Sequence, residues 1–355
     1  MHVLLTAMSV ANRTGAELYV AEVARALVER QHRATVLATV RGPLADELER
    51  EGIPVLGRLS PRMARPDIVH AQSAPATRLA LARYPDVPAL YVCHGHDRRR
   101  DVLPPYPSVR RYAGVSSICV EAQLRRGSPP SRTLLMPNFV DTRIFRPRPP
   151  LPASPRRAVL FSNYATPDGF AGAVREACRR RQIELDIVGA GAGKVSDRPH
   201  DLLVDYDVVF AKGRAAIEAM AVGCAVVLCD AAGVGPMVAE SNAERLRAMN
   251  FGFAALDAAH EPEVIVARLD LYDAHDAARV RDWIRTVASL ERYMTDLDLL
   301  YRELIEEKGP GSTLSTRVAQ AVSAVVSTAG YRAWYRLPDA TLVRARALRP
   351  PSAHR

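Results

Sequence analysis

Residues 207–230 read DVVFAKGRAAIEAMAVGCAVVLCD, and the rest of the chain is organised around this stretch. Val208, Val209 and Phe210 form an apolar run of buried-strand type. Lys212, Gly213 and Arg214 turn the chain. Ile217, Met220 and Ala221 recur at helical spacing, and Gly223 stands where a helix C-terminal glycine belongs. A second short apolar run follows at 225–228. The unit is therefore strand, turn, helix, strand. A turn between strand and helix leaves backbone N–H groups unpaired beyond the strand's carboxyl end, and the helix dipole favours an anion there. Lys212 and Arg214 add two cations, and Glu218 lies one turn in, able to reach past phosphates to a hydroxyl. The same residues also suit a structural β-α-β unit with a solvated Lys and Arg and a surface Glu.

Composition narrows the class. A chain of 355 residues predicts two domains, each able to bury its own core. At 48% hydrophobic content it reads as globular. The net charge is +9, and all but three of the 48 basic residues are arginine, a bias that fits a high-GC, bacterial genome. Two of the three lysines, Lys194 and Lys212, fall in glycine turns after strands. A basic balance suits an anionic substrate or an anionic membrane face. No zinc-finger spacing or RNP-type motif points to nucleic acid. Cys93, Cys119, Cys178, Cys224 and Cys229 are odd in number and scattered, without CxxC. They predict reduced, mostly buried thiols and a cytosolic location. The N-terminus MHVLLTAMSVA lacks a basic n-region and reads as a first strand, and no run of 18 apolar residues exists to span a membrane.

The first half alternates strands and helices. Strands are expected at 3–6, 35–38, 54–56, 68–70, 89–93, 114–116 and 134–136. Helices are expected at 16–29, near 43–50, around 76–83 and from a Ser117 cap to Gly127. In the first helix Val20, Val23, Ala24 and Leu27 make the inner face, with Glu22, Arg25 and Glu29 toward water. This pitch predicts a doubly wound parallel sheet. Residues 142–157, TRIFRPRPPLPASPRR, hold five prolines and read as a stiff connector. The expected organisation is a Rossmann-like domain at 1–141, that linker, a second domain at 158–308, and a helix with a basic tail at 309–355.

The second domain repeats the pattern. It has strands at 158–162 and 184–188 around a helix at 168–181, then the central unit, then helix from about 262 to 307. Gly189-Ala190-Gly191-Ala192-Gly193-Lys194 follows a strand and could cradle a diphosphate. No helix follows it at once, which weakens a dinucleotide fingerprint. Gly233-Val234-Gly235-Pro236 is a further glycine loop after a strand, with Pro236 suited to a first helical position. Beyond the Gly309-Pro310-Gly311 break, residues 313–355 carry seven arginines and one acid, Asp339. That tail fits a membrane-surface helix or a helix packed on the first domain followed by a basic end.

The motifs, in order, resemble the GT-B glycosyltransferases of family 4 type. RTGAELYVAEVARAL resembles their glycine loop and first helix. PDIVHAQ and VPALYVCHGH resemble two of their strands, LMPNFVDTRIFRP resembles PNGVD-x-x-x-F-x-P, and GRAAIEAMAVGCAVVLCD resembles the EAMA-G-PVV signature. The likeness runs with gaps from about residue 2 to about 305. It implies two Rossmann-like domains facing across a cleft, and a retaining, metal-independent transfer of sugar from a nucleotide-diphosphate donor to a carbohydrate or lipid-linked acceptor. It implies no cofactor. Glu218 is then the ribose-binding glutamate and His94 the cleft histidine facing the donor sugar, with His96 and His70 as weaker candidates. Gly15 would let the N-terminal loop approach the diphosphate. Lys194, Lys212, Gly213, Arg214, Gly233 and Gly235 complete the donor-binding candidates. No metal ligands are expected: Asp205 and Asp207 precede their strand, and Asp296 and Asp298 fall inside a helix.

Two departures from the family pattern fall at the donor site. The glutamate usually found eight positions before Glu218 is Phe210, and the loop NYATPD at 163–168 lacks the usual basic pair. Two other readings therefore stand beside the transferase. One is a non-catalytic GT-B homologue acting as a binding or assembly subunit; the other is a sugar-nucleotide epimerase.

Overall fold

A computed structural model describes residues 1–60, 63–95, 101–166 and 169–307. The candidate His96 and the basic tail at 309–355 lie outside these residues. Contacts among the described residues form two compact units. One is built chiefly of residues 1–91 with 101–110, the other of 92–95 with 111–303.

The first sheet uses strands β1 (His2–Val10), β2 (Arg33–Arg41), β3 (Val55–Leu56), β4 (Ile68–Ala71), β5 (Ala89–Cys93), β6 (Val109–Gly114) and β7 (Thr133–Leu135), in the order β3-β2-β1-β4-β5-β6-β7. The pairs β1–β2, β1–β4, β2–β3, β4–β5 and β6–β7 are all parallel. Helices α1 (Gly15–Glu29), α2 (Pro43–Arg50), α3 (Ala74–Arg83) and α4 (Ser117–Arg125) connect them. Val20, Val23, Ala24 and Leu27 of α1 are buried as its periodicity requires. Glu22 and Arg25 are half-buried rather than solvated, and Arg25 reaches across to Glu47 and Glu51. β1 runs past its expected end, since Ser9 and Val10 pair with Val40 and Arg41. β6 stops at Gly114, where a side chain would lie 2.5 Å from the backbone nitrogen of Val120. The helix N-cap is Ser116, one residue before the Ser117 expected from sequence.

The second sheet comprises β8 (Arg157–Phe161), β9 (Glu184–Val188), β10 (Val208–Ala211), β11 (Ala225–Asp230) and β12 (Gly233–Met237), in the order β12-β11-β10-β8-β9. The β8–β9, β8–β10 and β10–β11 pairs are parallel, but β12 runs antiparallel to β11. The stretch 233–236, expected from sequence as a loop, is this antiparallel edge strand. Alternate strand residues feed two cores. Val159, Val209, Ala211, Val226 and Leu228 pack with Leu203 of α6 (Pro199–Leu203), with Ile217 and Met220 of α7 (Gly213–Val222), and with α8 (Glu240–Ala248) and α10 (Ala274–Val287). Ala158, Leu160, Val208, Phe210 and Val227 pack on the opposite face with α5 (Ala171–Arg180) and α9 (Pro262–Leu269). The helical stretch expected over about 262–307 consists of three helices, α9, α10 and α11 (Leu290–Glu306). Asp273 starts α10 by accepting the backbone N–H groups of His275 and Asp276 at 2.7 and 2.9 Å. All five cysteines are buried, and none forms a disulfide.

Candidate functional site

In the second sheet the strand order reverses between β8 and β10, the switch point at which open α/β sheets bind ligands. Four segments follow the carboxyl ends of its parallel strands there. The loop after β8 begins with Ser162. Asn163 Oδ1 accepts the Ala190 N–H at 3.1 Å, and its carbonyl accepts the Gly191 N–H at 3.0 Å. The 189–194 glycine segment is thus stitched to the 162–165 loop. Gly189 (φ +150°) and Gly191 are needed there, because side chains would meet backbone atoms of Ser162 at 2.0 Å and Ala165 at 2.5 Å. Lys194 stays exposed, its nitrogen 3.9 Å from Asp186.

The start of α7 is the centre of the arrangement. Lys212 is the N-cap, no side chain caps the helix, and its first turn holds no acid. Gly213 has φ +59°, a left-handed geometry that favours glycine, and its N–H donates to the Phe251 carbonyl at 2.7 Å. Arg214 Nε donates to Glu218 Oε1 at 2.7 Å, and both side chains are buried. Glu218 is therefore not a surface residue. The Arg214 guanidinium lies 5.9 Å from the ring centre of Phe139, in the segment that resembles PNGVD. That segment is fixed by Asn138 N–H to Asn250 Oδ1 at 3.0 Å and by Val140 N–H to the Ala288 carbonyl at 2.8 Å. The Lys212 ammonium is 2.9 Å from Asp230 Oδ2, with the ring centres of Phe253 and Tyr164 at 4.2 and 5.8 Å.

Asp230, Ser162, Tyr164 and Phe253 are the residues sequence reasoning missed. An acid as the last residue of a buried strand was the available signal for Asp230. Gly233 and Gly235 correct an expectation. They lie not in a phosphate-type loop but in the edge strand β12, and α8 begins only at Glu240. Both are buried. A side chain at Gly235 would sit 2.3 Å from the Ala255 carbonyl. Pro236, which lacks an N–H, is tolerated on an edge strand. Phe210 also has a definite place. It is fully buried in the core on the face opposite α7, so its side chain packs with α5 and α9.

The remaining candidates belong to the first sheet. Gly15 opens α1, exposed, with open space where a side chain would project. The loop before it is held by Glu17, whose carboxylate accepts the N–H groups of Ala11, Asn12 and Thr14 and the Thr14 hydroxyl. His94 directly follows β5. It is half-buried as a residue, but its Nε2 atom is enclosed, and burial pushes its pKa down to about 3, so the imidazole is neutral at ordinary pH. His70 is fully buried, with Nε2 3.1 Å from the Tyr19 hydroxyl. Asp207 is a structural acid at the amino end of β10, bonded to Arg148 and to the N–H groups of Arg156 and Arg157. Among the described residues no three His, Cys, Asp or Glu gather to hold a metal. No described helix is long and apolar enough to cross a membrane.

Residues 13–144 match Glycosyltransferase Family 4. The chain has the GT-B fold. Solved GT-B structures share the fold at low identity. A glycosyltransferase from Rickettsia africae superposes with a TM-score of 0.62 at 15% identity, covering 86% of this chain and 99% of that one. HepE from Anabaena, in complex with UDP and glucose, gives 0.58 at 14% over 85% and 99%. HepE with UDP-glucose gives 0.56 at 15% over 86% and 100%. No curated protein sequence matches the chain. The fold likeness covers 85–86% of the chain, more than the residues matched by the family.

Proposed function

We propose that this GT-B protein transfers a sugar from a nucleotide-diphosphate donor to a carbohydrate or lipid-linked acceptor, with retention and without a metal, in bacterial polysaccharide or glycolipid assembly at the cytoplasmic face. The observation that carries this reading is the uncapped start of α7 at the switch point, flanked by Lys212 and Arg214 and followed by the buried Glu218. Breaking a glycosyl–phosphate bond requires stabilisation of charge on the departing diphosphate. The helix terminus and Lys212 supply it without a metal ion. Glu218, turned by Arg214, accepts the ribose hydroxyls. His94, neutral at working pH, exchanges hydrogen bonds with sugar hydroxyls and brings no charge of its own. Retention rests on the family resemblance. That HepE is solved with UDP-glucose supports a UDP-sugar as the first donor to try.

The test is calorimetric binding of UDP, GDP, ADP and dTDP with and without EDTA, followed by Glu218→Gln. The substitution keeps an oxygen for Arg214 and removes the charge, so roughly tenfold weaker nucleotide binding is expected, in line with a charged hydrogen bond. Unchanged binding would remove Glu218 from the site. The non-catalytic alternative is favoured by one observation: Phe210 stands in the core where the family carries a second glutamate. It predicts nucleotide binding without turnover, measured as release of UDP from a UDP-sugar.

A further inference from the structure

Lys212 sits against helix electrostatics. It occupies the N-cap of α7, where an oxygen-bearing side chain is normally preferred. Its ammonium lies at the positive end of the helix dipole, with Arg214 two residues on. For stability alone both charges have the wrong sign. A carboxylate from another strand offsets the first of them. Asp230 ends β11 and is 2% exposed, with Oδ2 2.9 Å from the ammonium. Its other oxygen accepts the Ser162 hydroxyl at 2.6 Å, and Ser162 Oγ in turn accepts the Tyr164 N–H at 3.2 Å. A buried acid fixed from two sides leaves a flexible lysine stem little choice of rotamer. The ammonium has three donors and spends one on Asp230. The lysine side chain remains 22% exposed, beside the half-open rings of Phe253 and Tyr164.

We infer that Asp230, braced by Ser162, is a positioning residue that holds Lys212 as the cation for the donor's diphosphate. This rests on the donor-site reading above. It assigns to a relay spanning β8, β10 and β11 the charge that the 163–168 loop lacks. Phe253 and Tyr164 form the walls between which the phosphates approach.

The experiment is titration of UDP, with uridine by competition, into the wild-type chain, Asp230→Asn, Lys212→Met and the double variant. Asp230→Asn is isosteric and keeps an acceptor for Ser162. It is expected to weaken UDP binding about tenfold while uridine binding stays unchanged, because only the diphosphate meets Lys212. In the Lys212→Met background the same change should have no further effect. The inference is overturned if Asp230→Asn leaves UDP affinity unchanged, if it weakens UDP and uridine alike as a structural lesion would, or if its effect adds fully to that of Lys212→Met. If the wild-type chain binds none of the four nucleoside diphosphates, the donor reading fails first and this inference with it.

Discussion

Arg214 and Glu218 are both buried and 2.7 Å apart, so neither tolerates loss of the other. Removing one partner of such a pair strands a buried charge. Glu218→Ala is expected to cost about 3 kcal/mol, whereas Arg214→Met with Glu218→Met in one chain costs less, measured by urea unfolding. His94 carries a second prediction. Its folded pKa is depressed from 6.5 to about 3 by burial. Below pH 6.5 the unfolded chain therefore takes up a proton that the folded chain refuses, and stability falls with pH through the window from 6.5 to 3. His94→Gln should flatten that acid limb, seen in unfolding midpoints at pH 7, 5 and 4, and leave stability above pH 7 little changed by titration. At this scale the sequence named Lys212, Arg214 and Glu218 as candidates at α7 but not their partners. Glu218 sits four residues from Arg214, a spacing that can be read. Asp230 lies on another strand, and its approach to Lys212 exists only once β10 and β11 are paired.

Among the elements, β12 departs furthest from its sequence signature. GVGPM reads as a turn because two glycines and a proline dominate it. The strand is imposed from outside, by pairing with β11 and by the Val234–Ala258 bridge. The glycines answer to close backbone neighbours, not to a ligand. Gly235→Ala meets the Ala255 carbonyl at 2.3 Å and should cost about 2 kcal/mol in the same unfolding assay. Gly15→Ala is the contrasting case. Its site is open and at the first position of α1, so the change should be neutral or stabilise by up to about 1 kcal/mol. A loss of UDP affinity in a fully stable Gly15→Ala chain would show that the 11–15 loop approaches the donor. The elements with plain patterning, such as the apolar run of β10 and the buried face of α1, were legible because local pattern and tertiary burial agree in them. The breaks between α9, α10 and α11 were not, although the Asp273 cap was there to be read.

At the scale of the whole molecule, the fold was legible from the order of weak motifs, none specific alone. The solved GT-B structures confirm that fold at about 15% identity, where side-chain identity has largely gone and the strand-helix alternation has stayed. The site was less legible because its chemistry is divided among loops far apart in sequence: 162–166, 189–194, 212–214, 230 and 251–253. That division makes the donor assignment testable without activity. Hydrogen exchange followed peptide by peptide, with and without saturating UDP, should show protection at 162–166 and 212–218, whose amides line or support the α7 terminus. Strands β1 to β4 should exchange unchanged, since none of their residues contributes to these loops. The net charge of +9 adds a second signature. A diphosphate held by Lys212 and a helix terminus should lose affinity as salt rises from 0.05 to about 0.5 M, and its protection should fade in step. Protection confined instead to peptides around Gly15 and His94 would move the nucleotide to the first sheet and overturn the α7 assignment.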